Sequence, residues 1–309
     1  VLIFYNFFFF LKLLAKTLLI IKNTRPERGA IYIVFALLGM TMGYIYFRIE
    51  IFSYSLIMSG LILSLSVYCA WAQAALLNDV ADIDIDKDQN QSRALAAGKL
   101  STSDYKVAAL IFMTSAILIA FSISKTTLLL ISMCIVITII YSFKPFRLRR
   151  WPIISNALIA AVALLCTLAG YATVSDTGQF TSFPWLFGLF IFVLVTIVSI
   201  MKDLKDIKSD WKNKVYTIPN IIASKWNSRV AHRFVGILVA ISFLAVPIAF
   251  SFYIYLPLYI AIISLAFAIT IYYLIGESKM PDKYYLFTIC LFVFVLTILV
   301  INLGIAPPE

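Results

Sequence analysis

Long apolar runs recur along the whole of this chain, and they limit its possible folds more than any other feature. About 18 apolar residues in a helix are enough to cross a bilayer. Nine such runs are readable, near 30–47, 55–77, 105–123, 126–143, 152–173, 183–201, 231–252, 257–275 and 284–303. Charged residues make up only 13% of the 309 residues and fall almost entirely between the runs, while 62% of the chain is hydrophobic. That segregation argues against a large soluble helical protein. The expected fold is all-α, a multi-pass membrane bundle of about nine transmembrane helices within residues 23–309. The joints at 123–126 and 252–257 are short, so the helices they link should form antiparallel hairpins.

Residues 1–22 read differently. Lys12 and Lys16 are four residues apart and share one helical face, with Phe7, Leu11, Leu14 and Leu18 opposite. The expectation is an N-terminal amphipathic helix lying in the membrane interface. A signal peptide is the rival, but no small-residue cleavage site follows. Lys and Arg set the orientation of the rest. With nine spans, 23 of the 25 basic residues fall on the side of the N-terminus, and only Arg48 and Lys125 on the other. The formal net charge of +10 is thus a membrane-orientation signal, with the richer side expected to be cytoplasmic. No aromatic-interleaved basic groove is present, and no nucleic-acid partner is expected. The four cysteines, Cys69, Cys134, Cys166 and Cys290, each lie inside an apolar run and read as small buried hydrophobes. A single histidine, His232, excludes a multi-histidine metal site.

Against this background the stretch "NDVADIDIDKD", residues 78–88, is anomalous, with five aspartates where the second run leaves the membrane. Ionisable residues beside membrane segments are costly and usually functional. Asn78, Asp82 and Asp86 step by four and share a helical face, Asp79 lies near it, and Asp84 points away. At the exit of the sixth run, Asp203, Asp206 and Asp210 step by three and four, and the same-face reading applies. The topology puts both groups on one side. They match in position, spacing and chemistry, as an internal duplication would. So many carboxylates repel one another unless compensated, and hard divalent cations do that: Mg²⁺ takes one or two carboxylates plus phosphate oxygens. Arg93, Lys99, Lys202, Lys205, Lys208, Lys212 and Lys214 are near enough in sequence to neutralise a diphosphate.

At these residues the chain resembles the UbiA superfamily of intramembrane prenyltransferases. That family's NDxxDxxxD motif is matched by Asn78, Asp79, Asp82 and Asp86, and its DxxDxxxD motif by Asp203, Asp206 and Asp210. "RALAAGKLS" (93–101), "YSFKPFRLRRWP" (141–152) and "TIP" (217–219) resemble its loop segments, and the likeness covers roughly residues 23–303. There are departures. Ala94 replaces the usual Pro, Lys214 the usual Gly four residues after the last aspartate, and Tyr216 a basic residue.

The resemblance implies a prenyltransferase domain over 23–309 with Mg²⁺ as cofactor. Mg²⁺ would bridge the aspartates to an isoprenyl diphosphate donor. The donor ionises to an allylic cation, a lipophilic acceptor attacks it, and pyrophosphate leaves. Acceptors used in the family are aromatic quinone precursors, chlorins, haem and glycerol-phosphate lipids. Asp82, Asp86, Asp206 and Asp210 are the expected catalytic carboxylates. Asn78 joins them on the metal side, with Asp79 and Asp203 as supporting ligands. Arg25, Arg93, Tyr141 and Lys202 are expected to contact the substrate. A cation transporter is the main rival, but transporter sites tend to lie near the midplane. A phosphatidyltransferase-type enzyme is the other, but its Asp-Gly-x-x-Ala-Arg pattern is missing. The topology is testable by impermeant thiol labelling. Ser92→Cys and Ser209→Cys should react from one face and Thr177→Cys from the other. Labelling of all three from one face would refute it.

Overall fold

The computed structural model describes residues 2–47, 54–89, 93–175, 182–251 and 258–276, together with Thr288, Leu291 and Val295. Within them lie twelve α-helices: α1 (Leu2–Asn23), α2 (Pro26–Phe47), α3 (Tyr54–Ala81), α4 (Ile83–Gln89), α5 (Thr102–Ile123), α6 (Lys125–Ser142), α7 (Ile154–Val174), α8 (Trp185–Ser199), α9 (Ile207–Lys212), α10 (Ile218–Lys225), α11 (Ser228–Ser251) and α12 (Leu258–Gly276). Two short 3₁₀ turns, Leu148–Arg150 and Ile200–Asp203, precede α7 and follow α8. Eight helices among the described residues are long and apolar enough to span a membrane, and they coincide with the first eight predicted runs. The ninth run falls mostly outside the described residues, and the joint at 252–257 wholly outside them.

Helix ends follow local chemistry. Ser101 caps α5 by accepting from the Asp104 N–H at 3.1 Å, and the Asp104 carboxylate accepts from the Ser101 N–H at 3.0 Å, a reciprocal capping box. The predicted α5–α6 hairpin turns on a single residue. The Ser124 N–H donates to the Ala120 carbonyl at 3.2 Å, closing α5. Its hydroxyl accepts from the Thr127 N–H at 3.0 Å, opening α6. The helix expected at the N-terminus is present as α1, and the Lys16 ammonium pairs with Asp104 at 2.6 Å.

The spanning helices are apolar nearly all round, as membrane helices are. On α5, Leu110, Ile111, Leu118 and Phe121 all face outward, a surface that suits lipid and would not suit water. The core centres on α2 and α7. A Cβ added to Gly39 would lie 1.8 Å from the Thr167 carbonyl oxygen, and one added to Gly170 would lie 1.8 Å from that of Ala36. The two backbones therefore touch, the arrangement by which small residues bring membrane helices together. Gly170→Val should lower thermal stability in detergent by about 1–3 kcal/mol or more, the usual cost of overpacking. An unchanged melting temperature would show that the helices part easily.

Candidate active site

The first acidic group is carried by α3 and its continuation. The helical hydrogen bonding passes through the α3–α4 joint: the Asp82 N–H donates to the Asn78 carbonyl at 3.1 Å and the Asp86 N–H to that of Asp82 at 2.9 Å. Asn78, Asp82 and Asp86 thus share a face, as their spacing predicts, and Asp84 is exposed. Asp79, Asp82 and Asp86 are buried. Four arginines compensate them. Arg25 and Arg93 both reach Asp79, the latter at 3.1 Å. Arg93 also pairs with Asp86. Arg147 at 3.3 Å and Arg149 both meet Asp82, which further accepts from the Asn78 amide at 3.2 Å. Arg25 and Arg147 adopt left-handed backbone, with φ of 53° and 42°, a conformation that costs energy outside glycine and gathers at functional sites.

The loop that holds Arg93 is anchored by a small buried cluster containing Ala94, Leu95, Leu100 and Tyr105. Here the departure from the family pattern has a physical counterpart. The Ala94 N–H points to the Asn23 side-chain oxygen at 3.5 Å, a bond that proline could not donate.

The second group is built less regularly than predicted. A continuous helical face was expected for Asp203, Asp206 and Asp210. Instead α8 tightens into the 3₁₀ turn ending at Asp203, and α9 begins only at Ile207. Single bonds keep the spacing: Asp206 N–H to Asp203 carbonyl at 3.3 Å, and Asp210 N–H to Asp206 carbonyl at 2.7 Å. Burial, with Asp206 and Asp203 beside it, pushes the Asp210 carboxyl up to about 7. Lys214, standing where the resembling family has glycine, is left-handed with φ of 55°, at a cost of roughly 1–2 kcal/mol.

The structure brings the two groups to one place. Arg149 pairs with Asp82 of the first, and its guanidinium, pulled down by burial, is held up by Asp210, Asp206 and Asp203 of the second. Asn78 and Lys202 stand at the polar end of the same cavity, of about 210 Å³, where Arg25 and Tyr141 join them. Lys202 donates to Asp203 at 2.9 Å and to Asn156 at 3.0 Å. Arg28, Thr138 and Ser142 also line it, and the rest of the wall is apolar, from α2, α3, α6, α7 and α8, with Phe35, Val67, Ile131, Val162 and Val195 among its residues. Of the predicted site residues, Arg25, Asn78, Tyr141 and Lys202 line the cavity, and Asp79, Asp82 and Asp203 are each one bond from one of these; Arg93, Asp86, Asp206 and Asp210 are not among its lining residues. Lys99, Lys208, Lys212 and Lys214, read as phosphate-neutralising, are exposed. Arg147, Arg149 and Asn156 do the close work and were missed. The two arginines sit in "FRLRR", within the 141–152 stretch that resembles a family loop segment, but neither is singled out by the sequence as a site residue, and Asn156 is a lone amide at the head of an apolar run.

Among the described residues no three Asp, Glu, His or Cys side chains gather closely enough to hold an ion unaided. The donor set nevertheless fits a hard dication. It is all oxygen, Oδ2 of Asp79 and Oδ2 of Asp203 are buried without a hydrogen-bond partner, and Asp210 is crowded by like charge. Mg²⁺ in such sites completes its shell with water and substrate phosphate.

Bundle, chamber and acidic mouth together define a class: an integral, multi-pass membrane enzyme working at a lipid–water boundary. The profile of the UbiA prenyltransferase family matches residues 32–296, and the chain belongs to that family and is a prenyltransferase. It is 25% identical over 265 residues to digeranylgeranylglyceryl phosphate synthase of Methanosphaera stadtmanae, covering 85% of this chain and 90% of that one. A UbiA homologue from Archaeoglobus fulgidus, solved with GPP and Mg²⁺, has the same fold, with a TM-score of 0.68 at 16% identity over 91% of this chain and 99% of that one. A solved digeranylgeranylglyceryl phosphate synthase gives a TM-score of 0.60 at 18% identity, over 94% and 100%.

Relief of mutual repulsion predicts near wild-type stability for Asp82→Ala and Asp206→Ala. The ion pairs argue against that for the first group, where Arg147 and Arg149 both meet Asp82. Asp79→Ala takes from Arg25 its carboxylate and leaves Arg93 with Asp86 alone, and should cost about 3 kcal/mol. Thermal unfolding without ligand measures this, and a melting temperature equal to wild type would show that the pairs are not stabilising.

Proposed function

We propose that this enzyme transfers a prenyl group from an isoprenyl diphosphate to a glycerol-phosphate lipid, releasing pyrophosphate. The observation that carries the reading is the pair of acidic groups meeting at the polar mouth of an apolar chamber. A diphosphate headgroup suits the mouth and a prenyl tail suits the chamber. The acceptor class follows from the relatives named digeranylgeranylglyceryl phosphate synthase, and it is favoured over the aromatic quinone precursor.

Asn78, Asp82, Asp86, Asp206 and Asp210 would hold Mg²⁺, with Asp79 and Asp203 in support. A bound divalent ion supplies charge that stabilises the departing diphosphate. Asp79 keeps Arg25 and Arg93 aimed at the mouth, where they can meet phosphate oxygens. Asn156 and Asp203 hold the Lys202 ammonium at the same place, and Tyr141 lines the boundary where the allylic cation would form. The apolar wall keeps water from that cation. The donor C–O bond breaks with its electron pair leaving on pyrophosphate, and an acceptor hydroxyl closes the new C–O bond and gives up its proton.

Purified protein incubated with geranylgeranyl diphosphate, Mg²⁺ and either geranylgeranylglyceryl phosphate or 4-hydroxybenzoate tests this by mass spectrometry. The prenylated glycerol-phosphate lipid should form, EDTA should abolish it, and Mg²⁺ should restore it. Asp82→Ala and Asp206→Ala should each lower turnover by orders of magnitude, and the double variant should be hardly worse, since groups acting as a unit are non-additive. Exclusive prenylation of the aromatic acid would refute the acceptor. Full turnover by Asp206→Ala would refute the single site.

A further inference from the structure

We propose that Arg149 acts as a displaceable counter-cation at the join of the two acidic groups, so that metal and diphosphate bind together and neither binds well alone. The inference rests on the reading that both acidic groups grip one metal–diphosphate unit.

The conflict arises at Asp82. The carboxylate is buried, and both of its oxygens are engaged. Arg147 meets Oδ1 at 3.3 Å, and Arg149 meets Oδ2, which also accepts from the Asn78 amide at 3.2 Å. A dication on either oxygen would stand beside a guanidinium bound to the same atom, and like charges so close repel strongly.

The two arginines are not equivalent. Arg147 also donates to the Ala81 carbonyl at 3.3 Å, which ties it to the end of α3 through main chain. Arg149 meets Asp82 on one side and is attracted by Asp210, Asp206 and Asp203 on the other. Main-chain bonds place it there independently of charge. The Tyr216 N–H donates to the Arg150 carbonyl at 3.3 Å, and the Val215 N–H to that of Asp210 at 2.9 Å. The 3₁₀ turn that carries Arg149 is thus fastened to the segment that follows Asp210.

One guanidinium is an incomplete answer to so many carboxylates. Asp210 stays crowded by Asp206 and Asp203, and Oδ2 of Asp203 has no hydrogen-bond partner. A dication is the better counter-charge, but it takes Asp82 only when Arg149 gives that residue up. A guanidinium leaving a buried carboxylate needs another anion, and the arriving diphosphate is one whose oxygens match its planar fork. Metal alone meets a repelling cation. Diphosphate alone meets the aspartates. Between turnovers Arg149 keeps the two acidic groups joined.

The test uses the full chain in detergent and needs no prenyl donor. The melting temperature is followed in EDTA, with Mg²⁺ alone, with pyrophosphate in EDTA, and with Mg²⁺ plus pyrophosphate, since a ligand of the folded state raises it. Wild type should respond fully only to the pair. Arg149→Gln and Arg149→Met should melt lower in EDTA yet respond to Mg²⁺ alone. Both should bind Mn²⁺, followed by electron paramagnetic resonance without pyrophosphate, about tenfold more tightly than wild type, the order by which one nearby charge biases an ionic site. Arg150→Gln removes the same charge one residue along and should stay within about threefold of wild type, because a charge facing solvent is screened. Equal Mn²⁺ affinity in wild type and both Arg149 variants would overturn the inference, as would equal tightening by Arg150→Gln. The wild-type arms need no variant, and full stabilisation by Mg²⁺ alone would also overturn it. If Mg²⁺ with pyrophosphate left wild type unmoved, the metal–diphosphate reading itself would fall.

Discussion

The carboxylates at the edge of the membrane dictate what surrounds them. Asp79, Asp82 and Asp86 are buried, and buried anions survive only when paired. Arg25, Arg93, Arg147 and Arg149 supply the pairing from three separate segments: the α1–α2 joint, the loop after α4 and the loop after α6. The ion pairs therefore do more than neutralise charge. They draw three connections to the α3–α4 junction, beside the cavity's polar end. The energetic gain of such pairs is modest against replacement by apolar groups, but losing one partner is costly. That asymmetry keeps the whole set together.

The second acidic group is left less satisfied. Asp210 is lifted by burial and by its acidic neighbours, and Asp203 keeps one oxygen without a partner. The two halves of the mouth differ in kind. The α3 half is paired by arginine, whereas in the α8–α9 half Asp210 is crowded by like charge, which a dication would relieve. The break from α8 through a 3₁₀ turn to α9 falls within this group, and Lys202, in the turn, lines the cavity.

Much of the fold was legible because the membrane imposes simple rules. Span length and the short joint near Ser124 follow from hydrocarbon thickness and hydrogen-bond satisfaction. The spacing of Asn78, Asp82 and Asp86 gave their shared face because α3 stays helical there. The same inference overreached for Asp203, Asp206 and Asp210, since periodicity cannot see a 3₁₀ break that preserves the count. Arg147 and Arg149 were unreadable as site residues for another reason. Cations beside a membrane end have a sufficient explanation in orientation, and only the fold of the loop shows that these two turn inward to Asp82. Lys214 shows the converse. Its departure from glycine was visible in the sequence, but its meaning, a left-handed residue bearing a side chain, needed the backbone.

The α5–α6 turn carries a consequence at long range. Ser124 closes one helix and opens the next with no spare residue between them, so the rotation of α6 about its own axis is set by α5. At roughly 100° per residue, a change of one residue in that turn would point a different stripe of α6 inward. Tyr141 and Cys134, which face the chamber, would then face elsewhere, although Tyr141 is about 25 Å along the helix from the turn. The angular setting of one chamber wall is thus clocked from the opposite side of the membrane, where none of the reacting groups reside.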